Sequence, residues 1–63
     1  MTMSMSEMIA MQLGTLRTLE QLLSQQIAAE SSAVLVKKCA AVREQIEDAE
    51  AALTRQQILE AIV

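Results

Sequence analysis

The stretch Leu35–Leu53, LVKKCAAVREQIEDAEAAL, decides how this chain folds. Within it Leu35, Cys39, Val42, Ile46, Ala49 and Leu53 recur at alternating spacings of four and three. That is the heptad seam of a helix that packs lengthwise on another helix. The other side of the same helix is charged, and Arg43 and Glu47 have the spacing of an exposed i,i+4 ion pair. The seam is apolar surface that must be covered, and the segment before it supplies the cover.

Upstream, Met5, Ile9, Leu13, Leu16, Leu19, Leu23 and Ile27 fall on one side of a wheel drawn at about 100° per residue. Met8, Met11 and Leu22 widen that stripe and leave Glu7, Gly14, Arg17, Gln21, Ser24 and Gln25 as a narrow polar back. A surface helix needs an apolar stripe only about 100° wide or somewhat more, so this one asks for a second neighbour beyond the seam. Ser4 followed by Glu7 has the capping-box spacing, and Met3 and Met8 then occupy the two positions of a hydrophobic staple. A helix is therefore predicted from about residue 5 to residue 29. The alternation of Met1, Met3 and Met5 offers thioethers of the kind that bind Cu(I). Flexible methionines filling gaps at an apolar interface explain it more simply. Gly14 lies on the polar arc, where it costs up to about 1 kcal/mol relative to Ala unless another backbone approaches it.

Glu30, Ser31 and Ser32 interrupt the pattern, and the apolar stripe restarts at Leu35 rotated by roughly 110°. A turn over about 30–33 is expected, with Ser31 or Ser32 capping the second helix, and so short a connection makes the helices antiparallel. The second helix is predicted over about 34–62. Past Leu53 the next seam positions are Gln56 and Glu60, while Ile58, Leu59, Ile62 and Val63 carry the apolar character. The stripe thus changes phase near residue 54. Helix 2 is expected to continue and present its end to another neighbour, the alternative being a short third helix capped by Thr54 and Gln57.

The 63 residues allow a single domain, 1–63, that buries little surface when folded alone. Such chains need a staple. One cysteine, no histidine and no aromatic residue leave association as the means available. An apolar fraction of 52% excludes a disordered chain. A net charge of −3 argues against nonspecific binding to nucleic acid or to anionic membranes. No apolar run approaches the ~20 residues of a membrane span, no basic signal region opens the chain, and an unpaired cysteine suits a reducing compartment. A cytoplasmic location is expected.

Catalytic and metal chemistry find no support. Glu44, Glu47, Asp48 and Glu50 form an acidic patch, but a di-metal bundle site also wants histidine, so the patch reads as a solvated face. Cys39 lies in the seam, where it reads as a small buried hydrophobe without a base to activate it. No Gly-rich phosphate loop occurs, and an enzyme, a cofactor and a metal are not expected.

These readings give an all-α fold, an antiparallel two-helix hairpin that associates into a helical bundle, most simply a dimeric four-helix bundle. Its expected core is Ile9, Leu13, Leu16, Leu23, Ile27, Leu35, Cys39, Val42, Ile46, Ala49 and Leu53. The surplus apolar residues Met8, Met11, Leu19, Leu22, Ile58, Leu59, Ile62 and Val63 are expected to bind a partner. The layout resembles two groups. One is the Rop-type plasmid copy-control proteins, dimeric hairpins that hold paired RNA loops, which implies a nucleic-acid regulator using Arg17, Lys37, Lys38, Arg43 and Arg55. This chain lacks the aromatic and concentrated basic face for that contact. The other is the small hairpin co-chaperones of bacterial type III secretion, which mask helical subunits before export. The function expected is a non-enzymatic adaptor or co-chaperone, partnered by itself or by a helical protein. A structural or designed bundle is the further alternative.

Overall fold

The computed structural model describes residues 2–62 and contains two helices, α1 (Met5–Ala29) and α2 (Ala33–Ile62), folded back on each other as an antiparallel hairpin. Ser4 caps α1 with extended backbone, and its Oγ accepts the Glu7 N–H at 3.2 Å, so the side chain takes one of the N–H groups that the first turn leaves open. The first backbone bond follows from Met8 N–H to the Ser4 carbonyl, 3.1 Å.

The turn consists of Glu30, Ser31 and Ser32. Glu30 leaves the helix in an extended conformation while its N–H still donates to the Gln26 carbonyl at 2.7 Å. The Ser32 carbonyl then accepts the Val36 N–H at 3.0 Å and opens α2. No described residue has positive φ, so this turn is made without the left-handed conformation that would call for glycine.

Each helix buries one strip. On α1 the buried or half-buried positions from residue 6 onward are Ser6, Ile9, Leu13, Leu16, Glu20, Leu23 and Ile27. On α2 they are Leu35, Cys39, Val42, Ile46, Ala49, Leu53 and Gln56, with Ala52 beside them. Both strips step by three and four, so each helix presents a heptad seam to the other. Leu13, Leu23, Cys39, Val42 and Ile46 form the fully buried centre, against which Leu16, Ile27, Leu35, Ala49 and Leu53 pack. Ile9 is half-buried towards the open end of the hairpin.

Helix α2 runs unbroken through Thr54 to Ile62, so the third-helix alternative does not hold among the described residues. The seam also keeps its direction past Leu53 and changes only its chemistry. Gln56 is half-buried on it, and Glu60 reaches the start of α1, where Oε2 accepts the Ser6 N–H at 3.2 Å and Oε1 accepts the Ser6 hydroxyl at 3.0 Å. A carboxylate at the positive end of a helix is favourable, which is why a charged residue fits a seam position here.

The molecule measures 48 × 22 × 12 Å. The short dimension is the diameter of one helix with its side chains, so the hairpin is a single layer. Domains ordinarily close a core between two layers, and here the layer has two open broad faces.

Candidate interaction surface

The two broad faces differ. One carries the two interhelical ion pairs found among the described residues, Arg17 Nη2 to Glu50 Oε1 at 3.3 Å and Arg43 Nε to Glu20 Oε2 at 3.9 Å. Arg43 therefore reaches across to α1, whereas its spacing suggested Glu47 along the same helix. Taken at about 100° per residue, Arg17, Arg43 and Glu50 stand roughly 60–80° round their helices from the seam, all in one sense of rotation. In an antiparallel pair, equal senses of rotation meet on the same face. Met8 and Leu19 of α1 and Val34 and Leu59 of α2 stand roughly 90–120° round in the opposite sense, and so share the other face. Leu22 and Met11 follow at its outer edge.

The apolar side chains on that face are open to solvent. Met8, Leu19 and Leu22 are 44%, 43% and 53% exposed, and Val34 and Leu59 are 60% and 53% exposed. Met11, Ile58 and Ile62 are also exposed, Ile62 most of all at 77%. Val63 lies outside the described residues. The sequence places Met5 in the apolar stripe of helix 1 and assigns Val34 and Val36 no role, and the structure leaves all three exposed. Val34 and Val36 flank Leu35 in the apolar run Ala33–Val36, and only the direction of the seam tells which of its members is covered. Gln56 and Glu60 are recognisable in the sequence as the next heptad positions, but their polarity reads as the end of the seam, and Glu20, polar at a seam position of α1, is passed over for the same reason.

A shallow depression of about 370 Å³ lies between Thr15, Thr18, Leu19 and Leu22. Its volume is within the range of small-molecule sites, but its four lining residues come from one helix, so it cannot enclose most of a ligand's surface. Both threonine hydroxyls are already used: Thr15 donates to the Met11 carbonyl at 3.2 Å and Thr18 to the Gly14 carbonyl at 3.0 Å. Their methyl groups can therefore be buried without leaving a donor unsatisfied.

The remaining chemistry is sparse. Cys39 is buried, 3% exposed, and its Sγ lies 3.9 Å from Ser24 Oγ. Glu44, Glu47, Asp48 and Glu50 are exposed, and among the described residues no three His, Cys, Asp or Glu side chains gather as a metal site. Of the basic residues, Arg17 and Arg43 are engaged with carboxylates, while Lys37, Lys38 and Arg55 are spread along α2 and exposed. No helix among the described residues is long and apolar enough to cross a membrane. Comparison with protein-family models, with curated proteins and with solved structures finds no match to this chain.

Proposed function

We propose that this chain is a non-enzymatic helical interaction module, an adaptor or co-chaperone in kind, that works by burying its open apolar surface against other helices. The observation that carries the reading is the balance of exposure: among the described residues five hydrophobic ones are buried, while eleven large ones, from Met3 to Ile62, stand 43–77% exposed. Exposed apolar side chains scattered singly are ordinary, but a helix-length row of them on one face is what helix-in-groove and bundle partners use. Self-association closes this surface most economically, as a dimeric four-helix bundle. A partner helix laid on Met8, Met11, Leu19 and Leu22, or on the end formed by Ile58, Leu59 and Ile62, closes it equally in chemical terms. Cytoplasmic residence is part of the proposal, since an unpaired thiol and the absence, among the described residues, of a helix long and apolar enough to cross a membrane suit it.

The test is a molar mass by light scattering, on the purified chain and on the chain recovered with its bound material from its native host. The reading expects a mass above that of one chain in at least one of the two preparations. A single-chain mass in both contradicts it.

A further inference from the structure

We propose that a second copy of this chain docks, about a twofold axis, on the broad face that carries Met8, Leu19, Leu22, Val34 and Leu59, leaving the ion-pair face to solvent. This rests on the reading of the chain as an interaction module and specifies its partner and its surface.

Three observations lead to it. The first is area. A monomeric protein of 6.9 kDa exposes about 4000 Å² when folded, whereas this hairpin exposes 4986 Å². The surplus, roughly 1000 Å² per chain, is close to the approximately 800 Å² that each partner contributes to a standard-size interface. A single added helix lying in a groove would cover part of it, and a second hairpin of the same length covers the whole face.

The second is self-complementarity, which a twofold interface requires because one patch must meet itself. On α1, Met8 and Leu22 lie equally far on either side of Thr15. On α2, Val34 and Leu59 lie equally far on either side of the Ile46–Glu47 midpoint, and so do Ala41 and Ala52. The cross-helix contacts Arg17–Glu50 and Arg43–Glu20 bring these two midpoints to within about one turn of each other along the hairpin. A twofold axis lying between the copies and crossing the helices there sets each helix antiparallel on its own counterpart. Thr15, Ala41 and Ala52 then allow close approach near the middle, while the larger Met, Leu and Val side chains close the two ends.

The third is the difference between faces. Stacking through the ion-pair face would strip water from Arg17, Glu20, Arg43 and Glu50, whose pairs are now part-solvated, and burying charges costs more than such pairs return. The opposite face carries Lys38, Gln45 and Asp48 on α2, all exposed, but neither of these ion pairs, and its Thr15 hydroxyl is satisfied within α1.

Site-directed cross-linking of the full chain tests this. In a Cys39→Ser background, Leu19→Cys treated with a bismaleimide long enough to span about two helical turns is expected to yield a covalent dimer, and Gln21→Cys, on the opposite face, is not. In parallel, Leu19→Glu is expected to weaken the dimer tenfold or more by sedimentation, and Val36→Glu, also on the ion-pair face, less than threefold. Cross-linking at Gln21→Cys in preference to Leu19→Cys, or equal weakening by both charged variants, overturns the assignment of the face. A wild-type chain that stays monomeric at high micromolar concentration overturns the second copy as occupant, and a complex of that monomer with another helical protein would leave the broader reading standing.

Discussion

The residues that matter most individually are those that depart from the apolar pattern. Gly14 sits inside α1 with ordinary helical backbone, and a Cβ built there meets nothing within 4 Å. Its flexibility is thus a cost with no packing return, and Gly14→Ala is expected to stabilise the hairpin by about 0.5–1 kcal/mol in urea unfolding. Gly14 lies away from the proposed docking face, so the same substitution should leave the association constant unchanged. Glu60 acts in the other direction. Its two contacts with Ser6 tie the last turn of α2 to the first turn of α1, and Glu60→Ala is expected to cost up to about 1 kcal/mol at low salt. The loss should shrink as salt is added, because the contact is exposed and screened. A loss that does not change with salt would mean that Glu60 acts by packing alone.

Among the elements, α2 shows how far a heptad can be followed. Leu35 to Leu53 is legible from spacing alone, because apolar residues at seam positions announce themselves, and Ser4 with Glu7 announces the start of α1 in the same way. Glu20, Gln56 and Glu60 occupy seam positions in both the arithmetic and the structure, yet a search for apolar residues passes over them and sees a stripe changing face near residue 54. The physical reason is that the ends of a two-helix seam are wet. A polar side chain costs little there and can gain a helix N-terminus, as Glu60 does, whereas Glu20 lies mid-seam with its carboxylate partly exposed, where Arg43 meets it. The turn was harder to read because it uses no residue with positive φ and so carries no glycine signal. Gln56 gives the test of this view. It is half-buried one heptad step beyond Leu53, and Gln56→Leu should extend the apolar seam and raise the free energy of unfolding, measured in urea, by no more than about 1 kcal/mol given its partial burial. If the helix really turned its apolar side elsewhere at residue 54, that substitution would leave stability unchanged and add only exposed apolar surface.

For the molecule as a whole, the dominant fact is that it is one helix thick. Its seam is closed within the chain, and the wide flank of α1 together with Val34 and Leu59 of α2 is not. What was legible in the sequence was the excess of apolar surface. Which broad face holds it was not, because that depends on how the two helices are rotated against each other, and the ion pairs of Arg17 and Arg43 reveal that only in three dimensions. Five buried residues among those described are a small core for a chain that must order two long helices, so stability and association should be coupled. The most direct measurement is the midpoint of thermal unfolding, followed by circular dichroism over a hundredfold range of chain concentration. The account predicts a midpoint that rises steadily with concentration, as it must when folding and assembly are one equilibrium. A midpoint independent of concentration, in a chain that sediments as a fully helical monomer, would contradict it.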